Sequence, residues 1–298
     1  MINYDRLSKR STMFRSFTGL EVSEFDSIYE KVRAKYEEYE RRRLSRKPRK
    51  NVVGAGRPFK LPLKDRLLML FVYYRLYITS TLVSYLFDLD QSNVLKDIRK
   101  LEPLVKEVTP IPEKVYAATR RANTLEEVER YFPEFKAFID ATEQEIPRPK
   151  LKKKRESHYS GKKKRHTVKT QINGRGVIIH RTRHARGRRH DYDIFKGSHP
   201  ELPPGVEPTL DLGYEGIQKD FPELNAYIPI KRRGKERLTD EQRLYNGRLA
   251  EARIVVEHTF SRMKKFRVMG EKFRNRLKNY DMMTDIVSGL VNLRIMGA

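Results

Sequence analysis

The chain carries a net charge of +25, and nearly all of it lies in two stretches. Arg41 to Lys50 holds seven Lys or Arg and no acid. Arg148 to His190 holds 17 Lys or Arg and one acid, Glu156. Like charges at this density cannot enter a core without counter-charges. The rest of the chain is nearly neutral. For the shorter stretch a solvated loop and a contact with a polyanion are both open readings. The longer one has aromatic and apolar residues between its charges. It points to a polyanionic partner, DNA or RNA, through phosphate neutralisation and counterion release.

Composition excludes several classes. Apolar residues are 38% of the chain, but 14 Phe and 16 Tyr still supply buried surface. No run approaches the roughly 18 apolar residues that span a bilayer, and the start of the chain has no secretory pattern. With no Cys there is no disulfide partner, thiolate zinc site or iron–sulfur cluster. Any metal must sit on carboxylate or imidazole. A cytoplasmic, nucleoid-associated prokaryotic protein is the expectation.

Periodicity sets the element order. Phe25, Ile28, Val32 and Tyr36 have helical spacing over Val22–Glu40, with Ser23 and Asp26 as a candidate N-cap pair. The basic run ends that helix, and residues 51–58 read as a linker. Helices follow at Leu63–Tyr74, Ser80–Phe87 and Gln91–Leu101, with Asp88-Leu89-Asp90 as a break. Two short helices, the second carrying Lys96 and Arg99, form a helix-turn-helix pattern. An ordinary helical bundle fits the same period. After an acidic helix at Thr124–Tyr131 the period becomes that of strands. Strands are expected at Phe135–Asp140, Thr167–Ile172, Val177–His180, Pro208–Asp211 and Ala226–Ile230, with a hairpin turn at Asn173–Gly176. A short helix is expected at Tyr214–Phe221. A long one, capped by Thr239 and Gln242, runs to about Phe266, and a last apolar helix covers Asp281–Met296. This order points to a mixed sheet flanked by helices.

In a basic chain that acts on phosphodiesters the acids are informative. Asp140 and Asp211 each end an expected strand, where burial is costly unless the acid is paired or coordinated. Glu257 lies in the long helix between Ile254 and Phe260, beside the apolar stripe expected to face the sheet. Each acid alone also fits a cap or surface ion pair. Together they can converge on hard cations, Mg²⁺ or Mn²⁺. His180, His184 and His190 lie among arginines, where phosphate contact or solvent exposure is expected rather than zinc. Asp191 and Asp193 fit a helix N-terminus.

These residues resemble a family. Ile139-Asp140-Ala141-Thr142-Glu143, Tyr159-Ser160-Gly161-Lys162-Lys163-Lys164-Arg165-His166-Thr167, Arg189-His190-Asp191, Asp211-Leu212-Gly213-Tyr214-Glu215-Gly216 and Arg253-Ile254-Val255-Val256-Glu257-His258-Thr259-Phe260 occur in order. The sequence is similar to the DDE transposases of bacterial insertion sequences, in the group related to Harbinger-type elements, from about Arg57 to Asn292. The resemblance implies a ribonuclease-H-like catalytic domain with Asp140, Asp211 and Glu257 as a triad holding two Mg²⁺ ions, with Mn²⁺ as a substitute. It gives Arg253 and Lys264 roles at DNA ends. In the Tyr, Arg, Glu, Lys signature the Tyr position is Ala250, and Glu251 is the rival third acid.

The expected division is an N-terminal helix and basic linker over 1–56, a helix-turn-helix region over 57–123 and the catalytic domain over 124–298. The fold expected is α/β, a ribonuclease-H-like mixed sheet flanked by helices after an all-α region. Lys96 and Arg99 would face DNA, and Lys162, Lys163, Lys164, Arg165, Arg188 and Arg189 would hold its backbone. The expected partner is double-stranded DNA, both element ends and target, bound by a homodimer. The rivals are a DNA-binding regulator without catalysis and a nuclease without strand transfer.

Overall fold

The computed structural model describes residues 1–45, 52, 58–119, 138–173, 177–198, 207–232, 234 and 236–297. The expected helix at Thr124–Tyr131, the turn at 174–176 and most of the linker lie outside these residues.

Helices α1 (Tyr4–Leu7), α2 (Ser11–Thr18) and α3 (Val22–Leu44) open the chain. The N-cap of α3 is Glu21, in a capping box with Glu24, and not the expected Ser23–Asp26 pair. Asp26 is drawn elsewhere. It accepts the Tyr4 hydroxyl at 2.6 Å and pairs with Lys64 at 2.9 Å. Helix α4 (Leu63–Leu76) is buried all round from Arg66 to Tyr74, which makes it the centre of the helical layer. Helices α5 (Ser80–Phe87) and α6 (Gln91–Val108) follow, capped by Thr79 and Asp90, with Asp88 in the left-handed region between them. This is the helix-turn-helix arrangement. Helix α7 (Pro112–Thr119) ends the first described block.

The sheet is built on β3 (Arg165–Asn173). It pairs antiparallel with β1 (Ile139–Glu145), β2 (Tyr159–Ser160), β4 (His180–Arg181) and β5 (Ala185–Arg186). Between β1 and β2 lies α8 (Lys152–His158), and α9 (Asp191–Ser198) follows β5. Two parallel bridges, Phe138 with Thr209 and Thr209 with Tyr227, extend the sheet beyond β1. Of the strand expected at Phe135–Asp140, residues 135–137 lie outside the described residues, and β1 is described from Ile139, with Asp140 as its second residue. The strand runs on past the expected end to Glu145, and its polar residues are paired. Gln144 donates to Val268 and Glu271 carbonyls, and Glu143 accepts from Thr167. The expected Val177–His180 strand shrinks to β4, because the Ile178 backbone is taken by the Asn292 side chain. The expected strands at Pro208–Asp211 and Ala226–Ile230 are only the two bridges. Pro208 and Pro229 have no N–H for a ladder.

The expected helix at Tyr214–Phe221 is a 3₁₀ turn, Leu212–Tyr214, followed by α10 (Ile217–Asp220). Helix α11 (Asp240–Lys265) has the expected Thr239–Gln242 capping box. After α12 (Arg267–Gly270), the apolar α13 (Tyr280–Met296) packs back on α6. One hydrophobic core runs from α2 through α4, α6 and α13 to Val168 and Ile172 of the sheet. Asn292 ties these layers by donating to the Pro110 and Ile178 carbonyls, both at 2.9 Å.

The architecture is therefore mixed α/β, an antiparallel sheet flanked by helices with a helical region before it. Among the described residues no helix is long and apolar enough to cross a membrane.

Candidate active site

Asp140 and Asp211 reach the same place from neighbouring positions of the sheet. Phe138 and Thr209 form the parallel bridge, and each acid lies two residues further on. Asp211 caps the 3₁₀ turn, its Oδ1 accepting the Gly213 N–H at 2.7 Å. A Cβ on residue 213 would sit 2.9 Å from that oxygen, so glycine lets the carboxylate fold back. Asp140 Oδ1 accepts the Ala141 N–H at 2.8 Å.

Arg253 joins the two acids. Its Nη2 lies 3.4 Å from Asp140 Oδ2 and 4.0 Å from Asp211 Oδ2. The spacing of α11 explains the reach. Leu249, Val256, Phe260 and Met263 are its buried apolar residues, and Arg253 falls between Leu249 and Val256 on the same stripe. The stripe differs from the expected one, since Ile254 is 46% exposed. Glu257, four residues from Arg253, is exposed at the flank of the stripe.

Burial pushes the Asp140 carboxyl above the usual carboxylate range, with the Asp211 charge adding to it, against the pull of the Ala141 N–H and Arg253. Beneath the acids lies the fully buried Tyr214. Burial holds its phenol well above the ordinary value, with the charges of Asp191, Asp140 and Asp211 acting in the same direction. Its hydroxyl has no partner among the described residues. Lys264, further along α11, is lowered by partial burial and by the Lys163 ammonium, against the pull of Asp140. Lys163 and Lys264 thus stand on the acid side of the sheet.

The donor set is oxygen only and suits a hard divalent cation. Asp140 and Asp211 fit one, since both are already held toward a single positive charge. Glu257 does not join them in a cluster. Among the described residues no three acids or histidines come together as a ligand group.

The other expected residues fall in several places. Lys162, Lys163 and Lys164 form the exposed turn between β2 and β3. Arg165 is exposed but pairs with Glu145 at 2.6 Å, and Arg189 donates to the Asp193 carbonyl at the start of α9. Arg188 is exposed beside α8. Lys96 and Arg99 are exposed on α6. Asp191 opens α9 as expected and pairs with Lys169 at 3.0 Å.

Two histidines depart from expectation. His180 is partly buried against the Tyr116 ring, and burial lowers its pKa to about 4. His184 pairs with Asp281 at 2.8 Å. Burial raises Asp281, but His184 and Arg181 outweigh it and hold that carboxyl at about 2. These partners are about a hundred residues apart in sequence, beyond the reach of local pattern. The bridging position of Arg253 was also hidden, although an arginine at an apolar-stripe position is a readable signal.

Residues 139–292, just over half of the chain, match the family described as DDE superfamily endonuclease, and residues 59–111 match the helix-turn-helix of that superfamily. The chain belongs to the DDE superfamily endonucleases. It is 28% identical over 288 residues to a protein of Microchaete diplosiphon named a probable transposase for insertion sequence element IS702, covering 95% of this chain and 94% of that one. It is 26% identical over 222 residues to a Streptomyces albus G protein named as a transposase for insertion sequence element IS112, covering 74% and 75%. No solved structure matches.

Proposed function

We propose that this protein is a transposase that binds the ends of its own element in duplex DNA, cuts there and joins the freed ends to target DNA. The observation that carries the reading is the convergence of Asp140 and Asp211 on Arg253 at the edge of a basic surface. Family membership and the two transposase-named relatives support the same class of chemistry.

The residues divide the work. Asp140 and Asp211 would be the ligands for Mg²⁺, or Mn²⁺ in its place, and Glu257, the third acid of the expected two-ion set, would have to turn in from the flank of α11 to join them. Bound there, such ions supply the Lewis acidity that activates an attacking oxygen and stabilises the leaving one. Arg253 keeps the two aspartates together and offers a guanidinium to the scissile phosphate. Lys264 and Lys163 add positive charge beside Asp140, where the DNA backbone passes. The exposed face of α6, with Lys96 and Arg99, lies against the end sequence. Lys162, Lys164, Arg165, Arg188 and Arg189 hold more of the backbone. Two ends must meet for joining, so the active species is a homodimer on DNA.

The test is a supercoiled plasmid carrying the gene with its native flanking DNA, incubated with the protein in Mg²⁺, in EDTA and with Asp140→Asn. Metal-dependent cuts at inverted repeats beside the gene, followed by joined products and lost in the variant, are expected. Tight binding without cutting in Mg²⁺ or Mn²⁺ would replace this reading with a regulator. Cuts without joined products would leave a nuclease.

A further inference from the structure

The long basic stretch takes a defined shape at one place. Helix α8 leads straight into β2, which turns back into β3 through Gly161–Lys164. Lys163 N–H donates to Ser160 Oγ at 3.2 Å, and Lys164 takes a positive φ of 53°. Tyr159 is thereby paired opposite His166, their rings edge to face at 5.7 Å. From the next loop Arg188 N–H donates to the Ser157 carbonyl at 3.3 Å, which sets Arg188 beside α8. The result is an open pocket of about 820 Å³ lined by Arg148, Lys152, Arg155, Arg188, Tyr159 and His166.

Charge and aromatic surface coincide there without serving the fold. Among the described residues none of the four Lys and Arg side chains forms an ion pair, although Glu156 also lines the pocket. Tyr159 is 43% exposed. Unpaired cations repel one another, and an exposed ring buries little. A track for duplex phosphates needs cations but no ring. A ring among cations matches a nucleotide whose base is free to stack, since every base has a π-face and every nucleotide a phosphate.

The pocket also lies at a useful distance. His166 adjoins Thr167, which opposes Glu145 at the far end of β1, while Asp140 stands at its beginning. Five residues of strand at about 3.4 Å each put the pocket roughly 17 Å from the acid pair. That is about five base pairs of duplex.

We propose that this pocket holds an unpaired nucleotide of the bound DNA, its base stacked on Tyr159 and its phosphates on the surrounding cations. The proposal rests on the DNA-processing reading and names one contact within it. Unpairing a base is easiest where the duplex is already interrupted, as at a cut end.

The test is fluorescence anisotropy with single-stranded oligothymidine, oligouridine and a fully paired duplex as probes. Tyr159→Ala is expected to weaken oligothymidine binding about 5- to 100-fold while duplex binding stays within about twofold. Tyr159→Phe should behave as wild type on every probe, because the ring and not the hydroxyl does the stacking. An unchanged oligothymidine affinity in Tyr159→Ala, or an equal loss on the duplex, would overturn the proposal. Tighter binding of oligouridine than of oligothymidine would overturn it in favour of RNA. The plasmid assay separates the two readings. If wild type cuts at the element ends and Tyr159→Ala shows no selective loss, only the pocket assignment fails. If wild type neither binds DNA nor cuts, the DNA-processing reading fails with it.

Discussion

Two arginines on helix faces meet aspartates in this molecule, and the contrast separates a structural contact from a chemical one. Arg66 of α4 is 1% exposed and holds Asp97 of α6 through two bonds, 3.2 Å from Nε and 3.1 Å from Nη2. Its Nη1 donates to the Tyr36 hydroxyl at 2.7 Å, and the Phe59 ring lies 3.7 Å from its Cζ. Asp97 meets Arg66 closely and Lys100 more loosely at 3.9 Å, so its charge is fully answered, and the remaining directions of the guanidinium are filled. Arg253 meets two aspartates through one nitrogen, at 3.4 and 4.0 Å, with its side chain 23% exposed. Two carboxylates share one guanidinium, so net negative charge remains between them; burial is what chiefly raises Asp140, and the Asp211 charge adds to it. The first arrangement clasps helices. The second attracts a cation.

The contrast can be broken at several points. The largest effect belongs to the clasp. Asp97→Ala strands the Arg66 charge in the core and should cost about 3–5 kcal/mol in urea unfolding. Replacing both partners at once, Arg66→Met with Asp97→Leu, should recover most of that loss. Next is His180, a partly buried base with no acid acting on it among the described residues, which burial keeps neutral. Its folded pKa lies below the unfolded value, so the stability it contributes is present above about 6.5 and is lost as pH falls toward 4. Between pH 8 and pH 5 unfolding should lose about 2 kcal/mol, and His180→Asn should flatten that slope. Arg253→Gln should cost about 1 kcal/mol without metal, because its pair is loose and partly exposed. Added Mn²⁺ should raise the melting temperature of that variant more than that of wild type. The smallest effect is expected at the exposed Lys35–Glu107 pair, where Glu107→Gln should change stability by less than about 0.5 kcal/mol.

The two regions also differed in how far the sequence revealed them. The clasp side consists of helices whose apolar period is strong, so α4 and α5 were legible almost to their ends, while α6 continues beyond Leu101, through Pro103, to Val108. The cap of α3 was less so, because the Glu21–Glu24 box competes with a Ser–Asp pattern two residues on. On the sheet side the acids were legible by type and by family resemblance. The strand ends that were to hold them were not. Polar residues after Asp140 find partners across the sheet, and the prolines near Asp211 reduce its strand to a bridge. Arg253 was read as a DNA contact from the family resemblance, and its place between the two aspartates was missed because the apolar stripe was set by Ile254 and Phe260 instead of passing through the arginine itself. What local pattern misses here is contact between distant segments, as at His184 with Asp281 and Asn292 with Ile178.

The central claim is that Asp140 and Asp211 form one cation site. It is tested most directly by Mn²⁺ titration, followed by electron paramagnetic resonance, of wild type, Asp140→Asn, Asp211→Asn and the Arg66→Met/Asp97→Leu double variant. The account predicts that either single substitution weakens the same Mn²⁺ binding event and that the double variant binds as wild type does. Binding that survives both Asp140→Asn and Asp211→Asn unchanged would contradict it.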